Sequence, residues 1–251
     1  MSRVAHFSQD EVERYARHLV LSEVGGPGQQ KLARARVLIV GAGGVGGPAS
    51  LYLAAAGVGT IGLVDADTVS LSNLQRQIQF ATTDIGRPKV AASAERLGAI
   101  NPHVVLRTHA VMLAADTAAA LIADYDIVLD GTDDFATRFA VNAACVMAGV
   151  TLVSGALGRW DGQVAVFEGR PCYQCLVSEA PPDAETCSRV GVIGALAGVI
   201  GAMAALEVVK LITGAGEPLT GRLLLYDGLH ATARTVKIAA DPSCPICALK
   251  A

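Results

Sequence analysis

An acid, an amide and a guanidinium follow one another after an apolar run, in an order that suits phosphate chemistry. The run "TIGLVD" ends at Asp65, and Asn73 and Arg76 follow in the next loop. A dinucleotide site uses an acid at the end of the second strand to bind a ribose hydroxyl, but it does not need the other two side chains. A triphosphate that reacts at its α-phosphate does need fixed donors, because charge builds up on its oxygens. The segment therefore predicts a nucleoside triphosphate site, with a loop cap as the alternative role of Asp65.

Two cations come next, in "GRPKV". Pro88 occupies a predicted first helical position, so Arg87 and Lys89 lie at a helix N-terminus. Cations there oppose the helix dipole, and an anion bound between them would remove the conflict. We expect such an anion, and the alternative is a pair of solvated surface cations.

A glycine-rich turn precedes Asp65. Gly41, Gly43, Gly44 and Gly46 lie between "RVLIV", a predicted strand, and "PASLYLAAAG", a predicted helix. The backbone N–H groups of such a turn and the helix dipole together bind anions. The order of strand, glycine turn, helix, strand and acid is typical of a nucleotide site. A merely tight turn is the alternative for the glycines, and an NAD-dependent oxidoreductase is the alternative for the site.

An acidic loop follows a later predicted strand. "VLDGTDD" places Asp130, Asp133 and Asp134 at the carboxyl end of that strand, which is the edge where α/β sheets bind ligands. A carboxylate beside a triphosphate indicates Mg²⁺, which takes one or two carboxylates and phosphate oxygens. The alternative for one of the three is to cap the helix that follows.

Four cysteines form two pairs, Cys172 with Cys175 in "CYQC" and Cys244 with Cys247 in "CPIC". Two distant CxxC pairs indicate a closed tetrahedral Zn²⁺ site, which would be structural. A redox CxxC is the alternative, but "CPIC" lies near the end of the sequence and opens no predicted helix.

The other two cysteines stand alone. Cys145 falls in a predicted helix and is interpreted as a small core residue. Cys187 lies in the polar loop "PPDAETCSRVG" near Arg189, which could lower the pKa of its thiol. Its alternative is a loop thiol with no role.

Strands and helices alternate as far as about residue 155. A helix from Ser8 to about Leu21, broken by "GGPG", comes before them, and hairpin-type strands around an apolar helix at 190–206 come after them. This order predicts an α/β fold, with a doubly wound, mostly parallel Rossmann-like sheet and an antiparallel C-terminal extension. We expect one domain of residues 1–251, with a nucleotide-binding half at 1–155 and a zinc-carrying half at 156–251.

The composition excludes several classes of function. The net charge is −3, so nucleic acid is a poor partner. The apolar fraction is 52%, which supports a large core. The N-terminal residues show no signal peptide, so we expect a cytoplasmic protein. The run at 190–206 is interpreted as an internal or subunit-interface helix and not as a membrane span, because it is short and rich in Gly and Ala.

Together these motifs resemble the MoeB, ThiF and HesA group of bacterial adenylyltransferases, which are related to ubiquitin-activating enzymes. The resemblance covers nearly the whole chain, through "RYARHLVL", "GAGGVG", "DADTVSLSNLQRQ", "DIGRPK", "LDGTDD", "CYQC", the loop around Cys187 and "CPIC". Such enzymes bind ATP with Mg²⁺ and the Gly-Gly tail of a small ubiquitin-like sulfur carrier. The tail carboxylate attacks the α-phosphate, an acyl-adenylate forms, and pyrophosphate leaves.

The resemblance also implies roles by matching position. Arg76, Lys89 and Asp133 would act in catalysis, Asp133 as the Mg²⁺ residue, and Arg17 would reach into the partner subunit's site in a homodimer. The residues implied to contact the nucleotide are Gly41, Gly43, Gly44, Gly46, Asp65, Asp67, Ser72, Asn73, Gln75, Arg76, Lys89, Asp133 and Asp134. The half at 156–251 would bind the carrier. The family loop commonly reads Cys-Thr-Asp-Asn, whereas this chain has "GTDD".

The sequence leaves both the identity of the carrier and the class of function open. The carrier is either the small subunit of molybdopterin synthase, as for MoeB, or the thiamine sulfur carrier, as for ThiF, where Cys187 could form a covalent link to it. The pathway is accordingly molybdenum cofactor or thiamine biosynthesis. The competing classes are the NAD-dependent oxidoreductase and a non-catalytic, zinc-stapled module that binds ATP.

Overall fold

Eight strands form one sheet in the order β3-β2-β1-β4-β5-β6-β7-β8. The structure is a computed structural model that describes residues 7–181 and 191–248, except for the side chain of Asp116. The strands are β1 Arg36–Val40, β2 Thr60–Val64, β3 Val105–His109, β4 Ile127–Asp130, β5 Thr151–Leu157, β6 Asp161–Phe167, β7 Arg222–Asp227 and β8 Thr232–Lys237. The helices are α1 Gln9–Arg14, α2 Ala16–Leu19, α3 Gly25–Arg34, α4 Gly46–Ala55, α5 Lys89–Ile100, α6 Ala115–Ile122, α7 Phe135–Ala148, α8 Tyr173–Leu176 and α9 Gly194–Thr213.

The sheet is mixed. The pairings that join β3, β2, β1, β4 and β5 are parallel. The pairings from β5 to β8 are antiparallel. The α/β class and the antiparallel C-terminal strands are confirmed, and three of the seven pairings are antiparallel. The short link from β5 to β6 is one reason, since a hairpin allows only an antiparallel neighbour.

Helices cover both faces of the parallel strands. Val37 and Ile39 of β1 face one cluster of buried side chains, which includes residues of α3, α4, α5 and α9. Leu38 and Val40 face a second cluster with residues of α6 and α7. Successive residues of a strand point to opposite faces, so a strand buried on both faces reads as an uninterrupted apolar run. This is why the apolar runs in the sequence identify these strands well.

The chain reverses its direction of travel across the sheet at β1, whose neighbours are β2 and β4. Ligands of open α/β sheets bind outside the carboxyl ends of the strands at such a switch point. The loops that follow β1, β2 and β4 carry most of the predicted site residues, so the topology brings them to one edge.

The N-terminal segment differs from the prediction. Ser8 and Glu11 form the expected capping box, but the helix is interrupted at Tyr15, whose ring is buried and whose hydroxyl accepts a hydrogen bond from Asn101. "GGPG" does not break a helix but forms the first turn of α3. Proline is tolerated there because the first N–H groups of a helix have no partner within it.

The long apolar helix is α9, Gly194–Thr213. Among the described residues it is the one helix long and apolar enough to span a membrane. It packs against α3, α4, β5 and β6, and Ile200, Ala204 and Val208 are fully buried. A Cβ on Gly201 would lie 2.7 Å from the carbonyl oxygen of Val45, so the helix seats closely on α4. In this fold α9 is a core helix.

Candidate nucleotide-binding site

The glycine turn connects β1 to α4 by a close approach of backbones. Gly41 has a φ of +89°, which favours glycine. A Cβ on Gly46 would lie 1.9 Å from the carbonyl oxygen of Gly41. Gly46 is thus needed for packing, and the turn before it leaves backbone N–H groups at the start of α4 for an anion.

A cavity of about 780 Å³ opens beside this turn, at the carboxyl edge of the sheet. Its size and its mixture of polar and apolar walls suit a nucleotide. It brings together most of the predicted nucleotide-binding residues, namely Gly41, Gly43, Gly44, Asp65, Asp67, Asn73, Arg76, Lys89, Asp133 and Asp134.

Asp65 and Lys89 form the wall beside the glycine turn. The Asp65 carboxylate accepts hydrogen bonds from the N–H groups of Ala42 (2.9 Å) and Asp67 (2.9 Å). The ammonium group of Lys89, which is only 6% exposed, lies 2.7 Å from Asp67 and 3.8 Å from Asp65. Burial raises the pKa of the Asp65 carboxyl, while the charge of Lys89 and the hydrogen bond from Asp67 act in the opposite direction. The pair is pre-organised for a polar ligand.

Arg76 presents a positive charge to the cavity without a carboxylate beside it. Its guanidinium donates a hydrogen bond to the carbonyl oxygen of Ser72 (2.9 Å), and no ion pair involves it in the part of the chain that the structure describes. Asn73 lines the same wall and its side-chain oxygen caps the N–H of Ser70 (3.1 Å). A half-buried guanidinium with only a neutral partner favours an anionic ligand.

Three residues of the predicted set do not line the cavity. The backbone of Gly46 packs against the carbonyl oxygen of Gly41. The hydroxyl of Ser72 is paired with that of Ser70 at 3.0 Å, and it is the Ser72 carbonyl that holds Arg76. The Gln75 side chain donates to the carbonyl oxygen of Val192 (3.4 Å). We infer that Ser72 and Gln75 shape the loop around Arg76.

Contrary to the prediction from the sequence, the structure does not place Arg87 and Lys89 around one shared anion site. Lys89 faces the cavity, but Arg87 is bound to Asp84 at 2.7 Å and to Glu95 at 2.6 Å. The two carboxylates already supply the negative charge that the helix N-terminus seemed to lack.

The loop after β4 divides its three acids between different roles. The buried Asp130 accepts hydrogen bonds from the N–H and hydroxyl of Thr132. Asp134 caps α7 through the N–H of Thr137 (2.8 Å), as expected for one of the three. Asp133 is exposed and lines the cavity, so its carboxylate is the one best placed to meet a Mg²⁺ ion.

The comparisons with known proteins decide the family. Residues 15–246 match the ThiF family. The chain belongs to the ThiF family. It is 44% identical over 250 residues to the sulfur carrier protein adenylyltransferase of Thermus thermophilus, covering 96% of this chain and 92% of that protein. It is also 44% identical over 247 residues to the molybdopterin-synthase adenylyltransferase of Escherichia coli K12, covering 97% and 99%.

The fold of this ThiF-family chain is similar to that of solved structures. A crystal structure of E. coli MccB with MccA-N7isoASN aligns with a TM-score of 0.83 at 25% identity, covering 93% of this chain and 74% of that one. The mixed Rossmann-like sheet is therefore shared with that protein.

The ThiF-family chain also gathers its paired cysteines. The sulfur atoms of Cys172, Cys175, Cys244 and Cys247 all lie within 4.8 Å of one another. The contacts from Cys172 to Cys244 (3.6 Å) and from Cys175 to Cys247 (3.4 Å) are far longer than a disulfide bond. They are close to the spacing of about 3.8 Å that four sulfurs at 2.3 Å from a tetrahedral zinc ion would have.

The electrostatics of the cluster fit a cation. Burial raises the pKa of the Cys172 thiol, and burial and neighbouring thiols raise that of Cys247. Burial acts in the same direction on Cys244, but the N–H groups of Cys247 and Ile246 outweigh it and lower the pKa of Cys244 to about 7. A bound metal ion would release the remaining protons, because it stabilises thiolates.

Three residues singled out in the sequence belong neither to the lining of this cavity nor to the cysteine cluster among the described residues. Cys145 is buried in α7, and burial strongly raises the pKa of its thiol, in agreement with a core role. Cys187 lies outside the described residues. Arg17 is exposed on α2 and is not among the residues that line the cavity of its own chain.

A second cavity, of about 420 Å³, lies at the amino edge of the sheet. Lys31 and Asp126 are among its lining residues, but Lys31 donates to the Thr213 carbonyl (2.7 Å) and Asp126 binds the backbone and side chain of Arg36. Asp126 is thus paired with a cation within the fold, and Lys31 is held by a backbone carbonyl.

Sequence reasoning missed several cavity residues. Gln77 is 4% exposed, lines the cavity and has a side-chain oxygen without a hydrogen bond. Arg138 and Tyr173 are buried in its wall. Arg138 falls one turn after Asp134 on the same helix face, and that spacing was the signal that could have identified it.

Proposed function

We propose that this ThiF-family protein uses ATP to adenylylate the C-terminal glycine of a ubiquitin-like sulfur-carrier protein. The observation that carries the proposal is Arg76, whose guanidinium faces the cavity beside Lys89 without a carboxylate partner among the described residues. The chain is also 44% identical to two proteins named as adenylyltransferases of this kind.

The nucleotide would follow the wall of the cavity from the glycine turn to the loop after β4. The N–H groups of Gly43 and Gly44 would bind phosphate, and Asp65 would accept a hydrogen bond from the ribose. Asn73, Arg76 and Lys89 would contact the triphosphate, and Lys89 would exchange its bond to Asp67 for phosphate oxygens. Asp133 would hold Mg²⁺, which neutralises charge on the leaving pyrophosphate.

The chemical step needs no general base. An oxygen of the carrier's terminal carboxylate bonds to the α-phosphorus, and the bond from that phosphorus to the pyrophosphate oxygen breaks. No proton moves, because the carboxylate is already a nucleophile at neutral pH. The acceleration must come from positioning and from donors aimed at the developing charge. Arg76 and Lys89 are two cations that line the cavity and that we assign to that purpose.

The carrier would enter from the C-terminal half of the chain. The cavity continues from Gly155 and Ala156 to Gln163, Tyr173 and Val177. A Gly-Gly tail has no side chains to obstruct such a channel. We therefore assign carrier binding to residues 156–251 and nucleotide binding to residues 1–155 of one domain.

A homodimer and a structural zinc ion complete the proposal. Tyr52 on α4 is 60% exposed and Leu206 on α9 is 62% exposed, and both are apolar side chains that a second copy could cover. In such a dimer Arg17, from α2, would act in the partner subunit's site. The four-cysteine cluster would hold Zn²⁺, which stabilises the fold and leaves no open coordination position. We expect the protein in the cytoplasm.

The remaining question is which of the two sulfur carriers the protein adenylylates. The two relatives above are named for sulfur carriers in general and for molybdopterin synthase. The test is to incubate the protein with Mg-ATP and, separately, the small subunit of molybdopterin synthase or the thiamine sulfur carrier, and then to weigh each carrier. We expect one carrier to gain the mass of one AMP.

Other outcomes of this test point elsewhere. A covalent adduct between Cys187 and the thiamine carrier, lost in Cys187→Ser, would indicate ThiF-like chemistry. ATP binding with an adenylate on neither carrier would favour the non-catalytic module, and binding of NADH in place of ATP would favour the oxidoreductase. Either of these last two results would contradict the proposal.

A further inference from the structure

Helix α7 joins the cavity to the cysteine cluster. Asp134 caps the helix at the cavity, and Arg138 and Asn142 follow at intervals of four residues, on the same face. Val146, another turn along, packs against the cysteines. One helix face thus carries buried polar groups from one site to the other.

At the cluster end, Asn142 is held by two hydrogen bonds. It is fully buried, and its side-chain N–H donates to the sulfur of Cys172 at 3.6 Å. Its side-chain oxygen accepts from the backbone N–H of Tyr173 at 2.9 Å. Asn142 therefore contacts both a sulfur of the four-cysteine cluster and the backbone of the next residue, Tyr173.

At the cavity end, Arg138 joins two walls of the site. Its guanidinium, 5% exposed, donates to the hydroxyl of Ser154 (3.2 Å) and to the carbonyl oxygens of Gly155 (2.8 Å) and Thr132. It also lies over the ring of Tyr173, 5.9 Å from the centroid. Arg138 therefore fixes the backbone of β5 and of the loop that follows β4.

These contacts form a continuous path. Asn142 donates a hydrogen bond to the Cys172 sulfur and accepts one from the Tyr173 N–H. The ring of Tyr173 in turn packs against the guanidinium of Arg138. Arg138 holds the carbonyl oxygen of Thr132, the residue before Asp133. Groups that hydrogen-bond to metal ligands commonly set the orientation of those ligands.

We propose that Arg138 and Asn142 are positioning residues for adenylylation, which couple the metal-loaded cysteine cluster to the loop that carries Asp133. The cluster then does more than join two distant segments of the chain, because the geometry of the Mg²⁺ residue depends on it. This inference rests on the proposed function, since it assumes that the cavity binds ATP.

Coupling of this kind is reciprocal. If the metal favours the arrangement of the loop that binds Mg-ATP, then Mg-ATP must tighten the binding of the metal by the same factor. Couplings between sites in proteins typically change affinity by about 5-fold or more. The effect is measured at equilibrium and needs no turnover.

The main experiment measures zinc affinity by competition with a zinc-selective chelating dye, with and without saturating Mg-ATP. In the unchanged protein we expect Mg-ATP to tighten zinc binding about 5-fold or more. In Asn142→Ala we expect the factor to fall to about one, because the variant lacks the contact with Cys172. Asn101→Ala is the matched control, since Asn101 is equally buried but bonds to Tyr15 and Ala54. It should keep the coupling.

A kinetic comparison tests Arg138. Arg138→Lys keeps the charge, but a lysine cannot reach three acceptors in a fork. We expect kcat for adenylate formation to fall about 10-fold or more with little change in KM for ATP. If Arg138 merely supplied positive charge, Arg138→Lys would restore kcat to the level of the unchanged protein, and the positioning role would be wrong.

The outcomes separate this inference from the proposed function. ATP binding with equal zinc affinity in its presence and absence overturns the coupling alone, and the unchanged protein suffices for that measurement. Failure to bind ATP overturns the proposed function and the coupling with it. Absence of stoichiometric metal from the folded protein overturns the zinc assignment and the coupling, but leaves adenylylation standing.

Discussion

Two arginines in the segment after β2 have opposite environments. Arg87 is held by Asp84 and Glu95, at 2.7 Å and 2.6 Å, so its charge is neutralised within the fold. Arg76 has a carbonyl partner and faces the cavity. The difference shows that a cation near a helix N-terminus does not by itself indicate a ligand, whereas a cation left without a counter-charge beside a cavity does.

The largest expected effect concerns the cations of the cavity. Arg76→Ala and Lys89→Ala should each slow adenylation by about 10²-fold or more, because each removes one preorganised donor from the reacting phosphate. ATP–pyrophosphate exchange in the presence of the carrier measures the rate.

Arg87→Ala is the matched control. We expect its exchange rate to stay near that of the unchanged protein, because Arg87 is not among the residues that line the cavity and its charge is paired within the fold. Near-normal exchange in both cavity variants, or an equal loss in Arg87→Ala, would remove the distinction between the two arginines.

An intermediate effect is expected at the glycine turn, where the backbone must be close to the ligand. Gly46→Ala places a Cβ against the carbonyl oxygen of Gly41 and should destabilise the fold by about 1–3 kcal/mol and weaken ATP binding. Gly98→Ala in α5 is the control, because its Cβ would meet only Leu106 at 3.7 Å. Thermal unfolding and ATP titration measure both. Equal stability of the two variants would show that the turn tolerates a side chain.

The smallest expected effect is a shift in pH dependence. Because burial raises the pKa of Asp65, protonation of the folded protein begins above the usual aspartate value of about 4. The protonated acid loses its attraction for Lys89 and accepts a ribose hydrogen bond less well, so ATP affinity should fall as the pH drops from neutrality toward that value.

Asp65→Asn separates this effect from the titration of ATP itself, which both proteins share. We expect the variant to bind ATP about 10-fold or more weakly at neutral pH, for loss of a charged acceptor, and to show a flatter pH dependence. Parallel pH profiles in isothermal titration would contradict the role of Asp65.

The site residues that could be predicted best from the sequence lie at or just after the ends of strands. Asp65 directly follows one apolar run and Asp133 lies three residues beyond the end of β4, so their places at the sheet edge were predictable. The turns were less predictable, because the 3-10 turn Leu71–Asn73 directs Ser72 and Gln75 away from the cavity. The partners of Arg87 depended on side-chain rotamers that local sequence does not determine.

Residues within helices were the main omission. Arg138 belongs to the site because α7 runs from the cavity wall, and its one signal in the sequence was its spacing of four residues from Asp134. Gln77 was visible as a glutamine beside Arg76, but its burial follows from how the loop packs. The interruption at Tyr15 likewise arises from a distant contact, with Asn101. Tertiary contacts of this kind override local helix signals.

The destination of the α-phosphate is the most direct test of the central claim. The carrier that gains the mass of AMP is incubated with the protein and Mg-ATP radiolabelled in either the α-phosphate or the γ-phosphate. If the cavity directs the carboxylate to the α-phosphorus, the carrier acquires the α-label, and the γ-label leaves entirely in pyrophosphate. Transfer of the γ-label to the carrier, or release of ADP, would contradict the account.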